Sequence, residues 1–166
     1  MNSPILETDF SSELRIAGTE YNLKYNALEV YFQGCKDHPC EGCHNPQLWT
    51  FEGGKPFTQD VLKDFVDYMN NPLVDRVWLL GGEPTDQPAD EMLKLLRFFK
   101  TYNKEVWLWT HRGMNDIDVR LFKYLDYVKT GEYKKGLPSY IEKKFGIRLA
   151  SNNQKIREVR HDLMGE

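Results

Sequence analysis

The sequence predicts an α/β domain with a mostly parallel sheet, and three observations carry that prediction. Strand-like and helix-like segments alternate along the chain, the order that builds successive β-α-β units. Arg76-Val77-Trp78-Leu79-Leu80 is a near-continuous apolar run, as expected when helices cover both faces of a parallel sheet. Two intervening segments place apolar residues at helical spacing: Val61, Leu62, Phe65, Val66 and Met69, then Met92, Leu95, Leu96 and Phe99.

The elements follow in chain order. Leu28–Phe32 reads as the first main strand, preceded by a short one at Leu14-Arg15-Ile16. A long loop spans about 34–57, rich in Gly, Pro, His and Cys, and a loop of that length inside one domain is usually functional. Thr58 reads as the N-cap of the first helix, which Asn70-Asn71-Pro72 stops. After the strand at 76–80 come Gly81-Gly82-Glu83-Pro84, a helix over 89–102, a strand over 106–110, a short helix over 116–124 and a strand at 127–129. Ile147-Arg148-Leu149 reads as a last strand. Right-handed crossovers between parallel strands place their C-terminal ends, and the loops that follow, on one side.

The 166 residues are the size of one domain, and 40% hydrophobic with 13% aromatic residues suffices for a real core. No linker, repeat or low-complexity segment divides the chain, so a single domain over 1–166 is expected. A net charge of -3 with scattered Lys and Arg argues against nucleic-acid binding. No apolar run approaches the roughly 18–20 residues that span a bilayer, so no membrane association is expected. The first residues show no basic region followed by an apolar one, hence no secretory signal. All three cysteines fall between Cys35 and Cys43. An odd, clustered set suits metal ligation in a reducing compartment better than disulfides, and a cytoplasmic location follows as an expectation.

The strongest chemical signal is Cys35-Lys36-Asp37-His38-Pro39-Cys40-Glu41-Gly42-Cys43. Three thiolates so close converge on one small inorganic object only if the backbone loops around it, which Gly34, Pro39 and Gly42 allow. Zinc would want a fourth ligand, and His38 or His44 offers an imidazole, but structural zinc usually pairs two ligand clusters and here there is one. An iron–sulfur cluster commonly takes four cysteines, and three leave one iron open to a substrate. On the cysteines alone both readings stand. The second signal is Gly81-Gly82-Glu83-Pro84 at the end of a buried strand, where glycines let the backbone approach a ligand. Ligands of α/β sheets bind at that edge. An isolated motif of this kind would be only a strand-to-helix turn.

The cysteine loop followed by Gly-Gly-Glu-Pro resembles the radical S-adenosylmethionine (SAM) superfamily. Within it, several stretches are similar to the activating proteins of anaerobic ribonucleoside-triphosphate reductases: Cys40-Glu41-Gly42-Cys43-His44-Asn45, Trp49, Leu79 to Pro84, Trp107-Leu108-Trp109-Thr110, Val128 to Tyr133, and Ala150 to Ile156. They run in the family's order from about 28 to 157. Four residues separate Cys35 from Cys40 where the family usually has three, and His44 replaces a commoner tyrosine.

The resemblance implies a partial, open βα barrel with Cys35, Cys40 and Cys43 holding a [4Fe-4S] cluster whose fourth iron SAM chelates. Gly81, Gly82 and Glu83 would receive the methionine amino group, chiefly through the backbone. Gly42, Cys43 and His44 would line the adenosyl side, and Thr110 would touch the same ligand or cap a turn. A one-electron donor such as flavodoxin would reduce the cluster, SAM would split to methionine and a 5′-deoxyadenosyl radical, and that radical would take hydrogen from a glycine of the partner, a glycyl radical enzyme.

Other residues carry paired readings. Trp49, Phe51, Trp107 and Trp109 suit either a docking surface or the core, with core favoured for at least one of Trp107 and Trp109. His111 and Arg112 follow a strand and lie near the site or in an exposed loop. Asp86 would bind a ribose hydroxyl or cap a helix. Ser151, Asn153 and Gln154 would meet a ligand or satisfy loop backbone, and His161 reads as a surface residue. Two alternative functions also fit parts of the chain. One is a small-molecule radical SAM enzyme such as a 7-carboxy-7-deazaguanine synthase; the other is a non-catalytic zinc-binding interaction module.

Overall fold

Alternation along the strands sorts their side chains onto two very different faces, and that difference positions everything else. A computed structural model describes residues 10, 11, 13–37 and 40–159; His38, Pro39, His161 and the first nine residues lie outside the described residues. The strands are β1 (Arg15–Asn22), β2 (Ala27–Phe32), β3 (Lys55–Pro56), β4 (Arg76–Gly81), β5 (Glu105–Trp109), β6 (Tyr127–Thr130), β7 (Tyr140–Glu142), β8 (Ile147–Leu149) and β9 (Lys155–Glu158). The α-helices are α1 (Gln59–Met69) and α2 (Ala89–Lys100). Seven strands form one sheet in the order β3-β1-β2-β4-β5-β6-β9. Its centre, β2-β4-β5-β6, is parallel, while β1 and β9 run antiparallel to their neighbours.

Register makes two rows across this centre. Val30, Leu79, Leu108 and Val128 pair in sequence on one face, and Glu29, Trp78, Trp107 and Tyr127 on the other. The first row packs into the main core with Phe65 and Met69 of α1 and with Leu95 and Phe99 of α2. Thr58 caps α1 by accepting a hydrogen bond from Val61 N–H at 3.4 Å, which satisfies one otherwise orphaned donor.

The helices therefore cover one face of the sheet. The expectation of helices on both faces is corrected, because Trp78 and Trp107 on the other face pack against Ile147 and Leu149 of a β7–β8 hairpin. Ile147–Leu149 is thus a strand of that hairpin and not the last strand of the main sheet. That place belongs to β9, whose Lys-Ile-Arg-Glu sequence is largely exposed and carries a single apolar residue. The short helix expected over 116–124 is two 3-10 turns, Met114–Asp116 and Val119–Tyr124, the second capped by Asp118. The expected short strand at 14–16 extends through Asn22 because it pairs along the whole of β2. Among the described residues no helix is long and apolar enough to cross a membrane.

Phe65 is fully buried and meets the rings of Phe57, Tyr68 and Phe99 at centroid separations of 5.3, 5.4 and 6.0 Å. Phe65→Ala should destabilise the domain by about 3–5 kcal/mol through lost burial and an unfilled cavity. Urea unfolding checks it as a lower midpoint at unchanged slope.

Candidate functional site

All four central strands end at the same edge. β2 runs into Gln33-Gly34-Cys35, β4 into Gly82-Glu83-Pro84, β5 into Thr110-His111-Arg112, and β6 into Gly131-Glu132-Tyr133. Their loops are stitched together through the backbone. Gly82 N–H donates to Phe32 O at 3.0 Å and Glu83 N–H to Gly34 O at 2.7 Å, while Gly34 and Cys35 N–H donate to Leu48 O and Trp49 O. The two glycines of the β4 end permit this approach. Gly81 has a φ of 114°, in the region that favours glycine, and a Cβ on Gly82 would collide with the carbonyl oxygens of Gly34 and Leu48. Gln33 completes the loop's anchorage, its buried amide donating to Gln47 O and Thr50 O at 3.2 and 2.7 Å.

A cavity of about 330 Å³ opens at this edge, on the face that Trp109 and Lys129 share with the β7–β8 hairpin. Cys35, Cys40 and Cys43 line it together with His44, Gly81, Gly82 and Thr110, so seven of the expected site residues share one wall. All three cysteines are free thiols. Among the described residues no three His, Cys, Asp or Glu side chains gather around a single-ion position. Gly42 is not on the wall; it turns the chain between Cys40 and Cys43 and packs beside Lys135 and Tyr133.

Glu83 points away from the cavity, into the protein. Its side chain is 1% exposed. One oxygen accepts from Thr110 Oγ1–H at 2.7 Å and from Thr85 Oγ1–H and N–H at 2.8 and 3.1 Å. The other accepts from His111 N–H at 2.8 Å and faces His111 Nδ1 at 2.6 Å. Burial alone would raise this carboxyl, but the hydrogen bonds and charge of His111, with the Thr110 hydroxyl, hold it below the ordinary carboxylate value. The His111 ring is 15% exposed and lines the cavity together with Cys35. Burial works against its charged form, yet its interactions with Cys35 and Glu83 and the Glu83 charge push it up to about 9.

The paired readings resolve on geometry. Thr110 ends its strand on both the cavity wall and the Glu83 carboxylate. Arg112 is no free loop cation: it donates to Thr85 Oγ1 at 2.7 Å and bridges Asp86 at 2.9 Å and Asp37 at 3.2 Å. Asp86 accepts from Lys36 N–H at 2.8 Å, so it braces the cysteine loop. Ser151 accepts from Lys134 N–H, Asn153 donates to Glu132 O, and Gln154 accepts from Ala150 and Ser151 N–H while donating to Gly131 O. These three satisfy loop backbone, and Gln154 reaches the cavity as well. Trp107 is core, whereas Trp49 and Trp109 line the cavity and Phe51 is exposed.

Lys129 is a site residue that sequence reasoning did not single out. It lies on the cavity wall, 8% exposed, donating to Gly131 O at 3.1 Å. Its signal was a lysine on the aromatic face of an otherwise buried strand, in register with Trp109. Tyr133 and Arg148 also line the cavity from loops and strands that no local pattern connects to it.

The profile of a family described as 4Fe-4S single cluster domain matches residues 26–157. The anaerobic ribonucleoside-triphosphate reductase-activating protein of Escherichia coli strain K12 is 26% identical over 141 residues, 79% of this chain and 87% of that protein. Its Vibrio cholerae counterpart is 28% identical over 113 residues, 63% of this chain and 72% of its own. The pyruvate formate-lyase-activating enzyme of Clostridium pasteurianum is 37% identical over 76 residues, 43% of this chain and 30% of that enzyme.

Burial lowers Lys129 from 10.5 to about 8, against the opposing pull of the Glu83 charge. The unfolded chain keeps this proton up to about pH 10.5 and the folded one releases it near 8, so stability should rise with pH across that window. Lys129→Met removes the buried charge. The variant should exceed the wild type by about 3 kcal/mol below pH 8, a gap that closes toward pH 10.5. Denaturant unfolding of both proteins in steps from pH 7 to 10.5 measures it.

Proposed function

The chain belongs to the 4Fe-4S single cluster domain family, and we propose that it is a radical SAM activase acting on an anaerobic ribonucleoside-triphosphate reductase. The observation that carries the reading is the meeting of Cys35, Cys40, Cys43, Gly81 and Gly82 on one cavity at the C-terminal edge of the parallel strands. The similarity to reductase-activating proteins over 79% of the chain supports the same reading, and the family itself supports an iron–sulfur centre.

The donor set fits such a centre. Three free thiols line one wall. Three thiolates suit an iron–sulfur cluster that leaves one iron open to a ligand. The cavity volume falls within the range of small-molecule sites, which suits SAM beside the cluster. When bound, cluster and SAM supply the hard chemistry, one-electron cleavage of the sulfonium and a radical able to take hydrogen from a glycine.

The chain's own residues bind, orient and exclude water. Cys35, Cys40 and Cys43 hold three irons and leave the fourth to the amino acid part of SAM. The N–H groups of Gly82 and Glu83 are engaged by Phe32 and Gly34, so the carbonyls of this strand end are the groups that meet a methionine amino group. Glu83 lies behind the wall, where it fixes the wall residues Thr110 and His111. His44, its ring 4.9 Å from that of Tyr133, walls the adenosyl side. The open barrel geometry, a reducing cytoplasmic setting and a flavodoxin-like electron donor complete the proposal.

Anaerobically purified protein should carry iron and sulfide and, with reductant and SAM, release 5′-deoxyadenosine. Adding an anaerobic reductase should produce a glycyl radical visible by electron paramagnetic resonance. Cys35→Ala, Cys40→Ala or Cys43→Ala should each reduce 5′-deoxyadenosine to background, because no other cysteine exists to replace the lost ligand. Colourless protein with stoichiometric zinc would refute the cluster. SAM cleavage that a small molecule stimulates, with no glycyl signal on the reductase, would refute the activase assignment.

A further inference from the structure

Charge is spread very unevenly over this chain. Residues 133–157, the β7–β8 hairpin with its flanking loops and the start of β9, carry seven Lys and Arg against one acidic residue, a net +6. The whole chain stands at -3, which leaves -9 on the rest. All seven of these cations are exposed. Lys134 meets Glu132 at 4.0 Å and Lys144 meets Glu158 at 3.7 Å, exposed pairs that contribute little. Among the described residues no ion pair holds Lys135, Lys143, Arg148, Lys155 or Arg157. The surface is firmly seated: Ile147 and Leu149 face the tryptophans, the Phe145 ring lies 5.2 Å from those of Trp107 and Tyr127, and Lys134 N–H donates to Ser151 Oγ. Alternation then turns Arg148 and its register partner Ile141 outward. This cationic surface reaches the cysteine loop directly. Tyr133 N–H donates to Cys40 Sγ at 3.3 Å, and a Cβ on Gly42 would stand 3.4 Å from Lys135 Cδ. Gly42 is off the cavity wall, so Lys135 meets the cysteine loop from outside the cavity.

We infer that this cationic corner docks an acidic one-electron carrier protein, which reduces the cluster through the outer side of the cysteine loop. The inference rests on the cluster reading above. A glycine that gives up hydrogen must enter the cavity and touch the ligand there. An electron crosses a short stretch of protein, so its donor needs proximity and no entry. The loop at 133–135 supplies that proximity, since it carries the cations and bonds to the Cys40 sulfur. Charge supplies the selection. A chain that is acidic elsewhere repels an acidic carrier from its other surfaces and attracts it at this one, which orients the encounter toward the cluster. A charged surface with few exposed apolar residues, Leu137 and Ile141, suits the small, transient interfaces of redox partners. In the transfer a flavin hydroquinone anion on the carrier loses one electron and becomes the neutral semiquinone, while the cluster goes from 2+ to 1+. No bond breaks and no proton moves.

The test measures the Kd of an acidic flavodoxin for the full-length chain, reconstituted anaerobically with iron and sulfide, by titration calorimetry at low ionic strength. The double variant Lys134→Glu/Lys135→Glu should raise Kd roughly tenfold, the low end of what electrostatic steering contributes to association. Lys134→Gln/Lys135→Gln should fall between the two, and both gaps should shrink as added salt screens the charges. Lys63→Glu/Lys123→Glu makes the same change in net charge at exposed positions beside the main core and should shift Kd far less. With SAM present, 5′-deoxyadenosine release driven by reduced flavodoxin should fall in Lys134→Glu/Lys135→Glu, while release driven by dithionite stays at the wild-type level. Equal Kd in wild type and Lys134→Glu/Lys135→Glu, or an equal loss in Lys63→Glu/Lys123→Glu, would overturn the inference. So would a lost glycyl radical on the reductase with dithionite as reductant and SAM cleavage intact, which would assign the surface to the reductase. Failure of the wild type to take up a [4Fe-4S] cluster would instead refute the functional reading on which it stands.

Discussion

Glu83 brings a carboxylate into the interior, and an ionised group there is tolerated only when its lone pairs are met and its charge is balanced. Satisfying it requires Thr85 from its own turn and Thr110 with His111 from the end of a strand 27 positions away. The carboxylate therefore holds the β4 and β5 ends in fixed relation. The same residue's N–H holds Gly34 O, which ties in the β2 end. Arg112 carries the network outward through Thr85, Asp86 and Asp37, and Asp86 holds the backbone of Lys36. The loop that bears Cys35 is thus fastened from beneath by charge and from the side by backbone.

That arrangement separates stability from chemistry. One face of the sheet buries Val30, Leu79, Leu108 and Val128 under two amphipathic helices, where each apolar side chain contributes about 1.5–3 kcal/mol on burial. Among the described residues no helix covers the other face. Its strands present Trp78, Trp107 and Tyr127 to a short hairpin, and beyond that hairpin Tyr31, Leu80, Trp109 and Lys129 line a cavity. The hairpin's far end is pinned to the β6 loop by Ser151, Asn153 and Gln154. A fold closed by helices on both sides would have filled the space in which the three thiols meet.

The position of Lys129 follows from the same asymmetry. Strand alternation puts it on the aromatic face, in register with Trp109, where water is scarce and its charge is costly. Glu83 partly offsets that cost through its own negative charge. The site is therefore not a neutral apolar pocket but a small region in which opposite charges are held close at low hydration, a setting that strengthens each polar contact.

What the sequence by itself determined is what local patterns encode. Apolar spacing specified α1 and α2, and a hydroxyl before the first apolar residue specified the cap at Thr58. Continuous apolar runs specified the central strands, and the order of segments specified a parallel centre. The crowding of three cysteines and the Gly-Gly turn marked both sides of the cavity, because a tight loop and a close backbone approach demand those residue types. Only the tertiary structure decided what depends on pairing across the chain. β9 is too polar to announce itself and exists because β6 offers it a ladder of hydrogen bonds. The β7–β8 hairpin takes a strand that the sequence would assign to the sheet, since Ile147 and Leu149 find their apolar partners on Trp107's face. Glu83 looks like a ligand contact in sequence, and only the convergence of Thr110 and His111 upon it turns it inward. Periodicity reports which face of an element is apolar; which other element covers that face, or whether a cavity does, is settled by contacts between residues that are distant in sequence.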